Sequence, residues 1–353
     1  MGKKRIGFLS FWGVGRGLAN ITLGFVKMIH KEYDVFILKQ GLNEITKDFN
    51  IEGINVIEHE DYIVDEDFFE KWIKDNKLDA VVFNEYKQWT NEDGNLVSTA
   101  KSLGCRTYGY LVAERFKKEQ TYNYDRVLVP TVSMEKLMRT FKVRKFTYVP
   151  ASIDLNEFPK KEKVVNEQFT FFHPGGMGGV HNRKNTDIVI EAFKKMDNKD
   201  TRLVITSQKP LNYVVPDNVT VIIKDLTRQE LIDYYYKADA TVLPSKWETV
   251  GIPIIESLAA GVPVITCEVP PMNEFVRIGM NGYLCNVSMT KYPDITIYAA
   301  EVDPAELAKS MSNILNKDAY ELLSKNSRYI VEELYDLEKN KKYFLDFLEE
   351  DLR

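Results

Sequence analysis

The stretch WETVGIPIIESLAAGVPVIT, residues 247–266, reads as loop, helix and strand in succession. Pro253 lacks an N–H that the first helical turn leaves unpaired anyway, and Gly261 suits the position just past a helix end. The spacing therefore predicts a helix over about 252–260 with Pro253 at its first position. Ile254, Ile255 and Leu258 supply its buried face, Ala259 and Ala260 allow close approach to a sheet, and PVITC resumes as the next strand. Two carboxylates stand in this mostly apolar segment. Glu248 belongs to the loop leaving the strand ATVLPS, and Glu256 lies about one turn into the helix. In an open α/β sheet ligands bind beyond the C-terminal strand ends, where helix N-termini present unpaired N–H groups and a partial positive charge. Both acids are thus expected to face a ligand crevice.

The same strand and helix rhythm runs through most of the 353 residues. KRIGFLSF (4–11) reads as a buried strand, turned by WGVGRGLAN into the helical pattern ITLGFVKMIHK. YDVFIL, INVIE, DAVVFN, RTYGYLV, DRVLVP and KFTYVP follow as further short runs, the βαβ spacing of a parallel sheet. After Pro150 comes ASIDLNEFPKKEKVVNEQ, with the composition of a linker, and then the rhythm restarts at FTFFHPG. Two Rossmann-like α/β domains are expected, residues 1–154 and 155–329, with a polar helical tail over about 330–353.

Composition narrows the function. A net charge of -5 argues against wholesale binding of nucleic acid, which ordinarily needs a basic domain. The balance is uneven, however: Lys and Arg against Asp and Glu number 5 to 15 over residues 44–93 and 11 to 4 over residues 101–145. Two solvated faces account for this; the alternative is a basic rim for an anionic substrate or membrane surface. The basic stretch EKLMRTFKVRKF (135–146) fits a solvated helix end first, and otherwise a contact with an anionic lipid or a lipid-linked acceptor. Cys105, Cys267 and Cys285 are widely spaced, which suits a reducing compartment, with the cytoplasm as the default location. No apolar run approaches the length of a membrane span. His173 and His181 flank the glycine loop HPGGMGGVHN without a third ligand at metal spacing, and the acids of Asp65 and Asp67 open a helix, where capping explains them.

Carboxylates in a crevice that also attracts phosphate are useful if they bind hydroxyls, because opposing an anion directly is costly at low dielectric. An ionised carboxylate accepts charge-assisted bonds from vicinal hydroxyls, each contributing about 1.5–3 kcal/mol. A nucleotide sugar offers two diols with a diphosphate between them. From local pattern alone, a helix-terminal charge at Glu248 and a solvated helix residue at Glu256 fit as well.

Glu248 and Glu256 with seven residues between them, preceded by LPS and followed by SLAAGVPVI, resemble the EX7E signature of the retaining glycosyltransferases of family 4. VPASIDLNEF (149–158) resembles that family's interdomain stretch, RKNTDIVIEAF (183–193) its basic turn and helix, and ELIDYYYKADATVLPS (230–245) the approach to EX7E. The resemblance is good over about 125–286 and weaker before it. It implies the GT-B fold: two Rossmann-like domains facing across a cleft, with the C-terminal helix crossing back to the first. It further implies transfer of a sugar from a nucleoside-diphosphate sugar to a saccharide, lipid-linked or other hydroxyl acceptor, with retention of configuration and no metal or other cofactor.

Carried over by position, Glu248 with the backbone around Thr249, Val250 and Gly251 would hold the donor sugar, and Glu256 the ribose. Lys184, assisted by Arg183, would neutralise the diphosphate leaving group, and Gly15 in the first domain would let backbone N–H groups approach a phosphate or the acceptor. The chain departs from the family at three places. Gly179 stands where an Arg is common, five residues before the Lys. ETVG replaces EGFG, and YLVAER (110–115) has no His where many members place one, with Glu114 and Arg115 in that neighbourhood. A GT-B epimerase or hydrolase and a non-catalytic nucleotide-sugar-binding subunit are the rival readings.

Overall fold

The computed structural model describes residues 2–13, 17–41, 49, 51–84, 96–162 and 164–353, the side chains of 115, 118, 120, 122 and 318 excepted. The chain forms two compact units, Met1–Ser152 with Leu337–Arg353, and Ile153–Asp336. The first boundary falls two residues before the expected one. The tail leaves the second unit at 337 rather than about 330, because the long helix before it is committed to the second unit.

The first unit is built on seven parallel strands: β1 (Arg5–Ser10), β2 (Asp34–Gln40), β3 (Asn55–His59), β4 (Ala80–Asn84), β5 (Arg106–Tyr110), β6 (Arg126–Val129) and β7 (Phe146–Tyr148), in the order β3-β2-β1-β4-β5-β6-β7. The helices α1 (Gly17–Ile29), α2 (Glu66–Asn76), α3 (Leu96–Ser102) and α4 (Val132–Thr140) connect them. Asp65 caps α2 by accepting from the Phe68 N–H at 2.8 Å, the role its position suggested.

The second unit repeats the plan with six parallel strands: β8 (Phe169–Gly176), β9 (Thr201–Ser207), β10 (Val219–Ile223), β11 (Ala240–Leu243), β12 (Val264–Cys267) and β13 (Gly282–Cys285), ordered β10-β9-β8-β11-β12-β13. Its helices are α5 (Thr186–Met196), α6 (Arg228–Lys237), α7 (Ile252–Ala259), α8 (Met272–Phe275), α9 (Pro304–Asn313) and α10 (Lys317–Leu334). One element was not anticipated. A two-stranded antiparallel ribbon, β14 (Val287–Thr290) and β15 (Ala299–Val302), stands apart from the main sheet.

The opening stretch folds as helix α7. Pro253 occupies its second rather than its first position, which leaves the argument intact because that N–H is also unpaired in a helix. At the other end Gly261, with φ 75°, donates to the Leu258 carbonyl at 3.0 Å while Val262 donates to Ser257 at 2.9 Å. This is the paired-bond C-terminal cap that a left-handed glycine permits.

The final helix, α11 (Leu337–Asp351), belongs to the first unit. It places Leu337, Phe344, Phe347 and Leu348 in one core with Ile6, Phe8, Phe25 and Tyr108. Phe344 meets Phe25 with ring centroids 5.2 Å apart, and burying such a ring contributes roughly 1.5–3 kcal/mol. Tyr108 donates its hydroxyl to Asp351 Oδ2 at 2.9 Å, which fixes the end of the helix. The three cysteines are free thiols and buried. Among the described residues no helix is long and apolar enough to cross a membrane.

Candidate functional site

In the second sheet the strand order reverses between β8 and β11, which lie side by side and parallel. Such a reversal opens a crevice at the C-terminal strand ends, because the connections from the two central strands diverge to opposite faces. The loops that leave these two strands carry the sequence-derived residues: Arg183 and Lys184 after β8, Glu248 to Gly251 after β11, and Glu256 on α7. The equivalent reversal in the first sheet lies between β1 and β4. Gly15 follows β1 there and falls outside the described residues.

The loop after β8 is shaped by its backbone. Of the six described non-glycine residues with positive φ, three are here: His181 (53°), Asn182 (50°) and Asn185 (54°). Backbone strain of this kind persists where surrounding contacts over-determine it. Those contacts are visible. Asn185 donates to the Pro244 carbonyl at 2.8 Å, Lys184 N–H to the Gly178 carbonyl at 3.2 Å, and Lys246 N–H to the Arg183 carbonyl at 2.8 Å. His173, fully buried, anchors the loop from beneath. Its Nδ1 donates to the Val242 carbonyl at 2.8 Å, so its Nε2 accepts from Thr186 Oγ1 at 2.9 Å. Burial pulls its pKa down to about 4, so it is neutral and structural at neutral pH.

These constraints bring Arg183 and Lys184 onto one carboxylate. Arg183 Nη1 donates to Glu248 Oε2 and Lys184 Nζ to Glu248 Oε1, each at 2.6 Å. Glu248 and Lys184 are only 6% and 8% exposed, so this is a buried cluster rather than a surface pair. Burial pushes the Glu248 carboxyl up, but Arg183 and Lys184 reverse that and hold it down at about 2. Lys184 is lowered from its ordinary value by burial and by the charge of Arg183, against the pull of Glu248 and, more weakly, of Glu256. Gly179 explains how Arg183 reaches the cluster. With φ 77°, a Cβ there would sit 3.1 Å from Arg183 Cβ and 3.2 Å from its Nε, so the missing side chain is the space Arg183 occupies.

Glu256 is 2% exposed, and both its oxygens are engaged: Arg228 donates to Oε1, and Tyr235 Oη to Oε2 at 3.0 Å. Val250 is buried, and Gly251, φ 88°, forms the left-handed entry to α7. The β14 and β15 ribbon braces the Glu248 loop from the other side. Ala300 N–H donates to the Lys246 carbonyl at 2.8 Å, Lys246 Nζ to Tyr292 Oη at 2.9 Å, and Trp247 packs with Ile295 and Ala299. His181 stacks on Tyr292 at 4.3 Å between ring centroids.

The sequence singled out Arg183, Lys184, Glu248 and Glu256 and did not single out Arg228, Tyr235 and Lys246, which the fold sets beside them. Tyr235 left a trace, since it lies seven residues beyond Arg228 on one face of α6. Its pairing with Glu256, 21 residues away, left none.

Two Rossmann-like parallel sheets, with the last helix returned to the first unit, define a GT-B fold, and the comparisons agree. Sucrose-phosphate synthase from Thermosynechococcus elongatus superposes with a TM-score of 0.74 over 99% of both chains at 17% identity. The Anabaena protein HepE, solved in complex with UDP-glucose, gives 0.74 over 98% of this chain and 99% of its own at 13% identity. Residues 168–317 match the family model described as glycosyl transferases group 1. Among curated relatives, a glycosyltransferase of Sulfolobus islandicus rod-shaped virus 1 is 28% identical over 129 residues, 34% of this chain and 38% of that protein. A D-inositol 3-phosphate glycosyltransferase of Catenulispora acidiphila is 31% identical over 117 residues, 30% of this chain and 28% of its own. The matches thus span well under half the length of these two relatives.

Proposed function

We propose that the protein is a glycosyltransferase that moves a sugar from a nucleoside-diphosphate sugar to an acceptor hydroxyl with retention of anomeric configuration, without a metal. The observation that carries this reading is the buried carboxylate of Glu248 bound by two cations at the strand-order reversal, with a second buried carboxylate, Glu256, on the following helix. Solved relatives of the same fold carry UDP, UDP-glucose, or UDP with GlcNAc, which supports a diphosphate-linked donor here.

Each residue has a task that its environment suits. Arg183 and Lys184 take the diphosphate, offsetting the charge that grows on its oxygen as the glycosidic C–O bond breaks. Glu248, held near pKa 2, stays ionised at neutral pH; it accepts hydrogen bonds from the donor sugar rather than moving a proton. The cluster carries two positive charges and one negative, so it attracts an anion while still offering the sugar an acceptor. Glu256 takes the ribose. The departing phosphate oxygen receives the acceptor proton, and the acceptor oxygen bonds to the anomeric carbon on the face the diphosphate leaves. The acceptor is a saccharide, lipid-linked or other hydroxyl compound, and the basic stretch 135–146 suits contact with an anionic membrane surface.

The test has two stages. A thermal-shift panel of UDP-, GDP- and ADP-sugars should single out one base, since a ligand raises apparent stability by RT ln(1 + [L]/Kd). Glu256→Ala should abolish most of that shift. With that donor in EDTA, acceptor-dependent release of nucleoside diphosphate, and a product with the donor's anomeric configuration by NMR, are expected. Release that is indifferent to every acceptor points to a hydrolase, and an inverted product removes the retaining assignment.

A further inference from the structure

We infer that Arg228 is a positioning residue for the donor nucleotide: together with Tyr235 it fixes the plane of the Glu256 carboxylate so that its two remaining acceptor sites face the ribose hydroxyls. The inference rests on the reading above that Glu256 takes the ribose, and deepens it by naming what makes Glu256 competent.

An ionised carboxylate offers about four acceptor sites, two on each oxygen. The torsion that turns it is soft and broad, so without donors its plane is poorly defined. Here one donor reaches each oxygen, Arg228 at Oε1 and Tyr235 at Oε2. One site per oxygen is left, as many as the two hydroxyls of a vicinal diol can fill. Neither donor is itself free to drift. Tyr235 is fully buried, its ring edge-on to Phe172 at 5.2 Å, and Phe172 lies on β8, the strand that leads into the Arg183 and Lys184 loop. Arg228 is the first residue of α6, whose start is locked by a reciprocal cap between Thr227 and Glu230.

The guanidinium is held on its other side too. Its Nε donates to Glu157 Oε2 at 2.8 Å, and its plane approaches Phe158 with 5.4 Å to the ring centroid. Burial pulls Arg228 down, but Glu256 and Glu157 more than reverse it and keep it cationic above its ordinary value. A planar fork bonded to two carboxylates and stacked on a ring is a task that Lys, a point charge on a flexible stem, does not reproduce.

The experiment compares ribose recognition, not binding alone. The probe is whichever of UDP, GDP and ADP stabilises the wild type most, measured by calorimetry beside its 2′,3′-dideoxy analogue. Wild type should prefer the ribonucleotide at least tenfold. In Arg228→Met, which keeps an apolar stem against Phe158, the preference should fall at least fivefold while affinity for the dideoxy analogue stays within about twofold. Arg228→Lys provides a milder substitution, expected to lie between. If Arg228→Met fails to fold, that variant decides, and a wild-type preference in it overturns the inference. Equal losses for both nucleotides, with the preference unchanged, would show a merely structural role and overturn it as well. Glu256→Ala separates the two levels. A wild-type preference in that variant sinks the ribose reading itself, whereas a preference lost there but kept in Arg228→Met sinks only the role of Arg228.

Discussion

Glu248→Gln perturbs the centre of the site while keeping its shape, and its consequence for stability can be worked from the structure. The Glu248 carboxyl is held at about 2 against an ordinary 4.5. A gap of this size corresponds to roughly 3 kcal/mol, since each unit is about 1.4 kcal/mol. Because the folded value is the lower one, this contribution is fully present above the unfolded value near 4.5 and is lost as pH falls toward 2. Glutamine cannot ionise, so it lacks the contribution at every pH. The variant should therefore be less stable than wild type by up to about 3 kcal/mol at pH 7, and the gap should narrow progressively below pH 4.5. Urea denaturation followed by tryptophan fluorescence reads this directly, because Trp247 is the single tryptophan of residues 153–336 and adjoins Glu248. The first unit has its own tryptophans, so the comparison is best made in a Trp12→Phe, Trp72→Phe, Trp89→Phe background. A gap that stays constant from pH 7 to pH 3, or no gap at pH 7, would refute the reasoning. The same substitution releases Arg183 and Lys184 from their internal anion, so nucleoside diphosphate should bind the variant at least as tightly as wild type while sugar transfer is lost.

Other outcomes follow from the same geometry. Lys184→Met removes one charge-assisted contact to the diphosphate, of about 1.5–3 kcal/mol, and should weaken nucleoside diphosphate binding roughly 10- to 100-fold by calorimetry. An unchanged Kd would remove Lys184 from the site. Gly179→Ala puts a Cβ against Arg183 at a left-handed position, which should destabilise the second unit by roughly 1–2 kcal/mol and raise the donor KM through displacement of Arg183. A donor KM equal to wild type would show that Arg183 does not depend on that space. Tyr108→Phe deletes the bond to Asp351 that ties down the tail helix. It should cost about 1 kcal/mol in the first unit's unfolding while leaving nucleotide affinity untouched.

Much of the fold was legible because its signals are local. Gly261 and Pro253 bracket α7, Asp65 opens α2, and short apolar runs mark nearly every strand of both sheets. The ribbon at 287–302 escaped notice, since VSMT and AAEV are short, mixed in polarity, and pair only with each other. In the site, Glu248 and Glu256 were legible from a strand end and the helix after it, and Arg183 and Lys184 only from the resemblance of RKNTDIVIEAF to the family's basic turn and helix. Their mutual arrangement was not. The family resemblance assigns the cations and Glu248 to different parts of a ligand, whereas in the folded chain they bind one another at 2.6 Å. Arg228 reaches Glu256 across 28 residues and Glu157 across 71, pairings set by the packing of α6 against α7 and of the segment after Ser152. No periodicity in one sequence encodes such a meeting. Lys246 is a similar case, since its backbone bonds to Arg183 and Ala300 and its side-chain bond to Tyr292 join segments far apart in the chain.

The most direct test of the central claim is a crystal structure of the protein with the nucleoside diphosphate that stabilises it most. The account predicts diphosphate oxygens within hydrogen-bond reach of Arg183 and Lys184, and both ribose hydroxyls on Glu256 with Arg228 still bonded to that carboxylate. A nucleotide bound with its diphosphate away from these two cations, or with its ribose turned from Glu256, would contradict it.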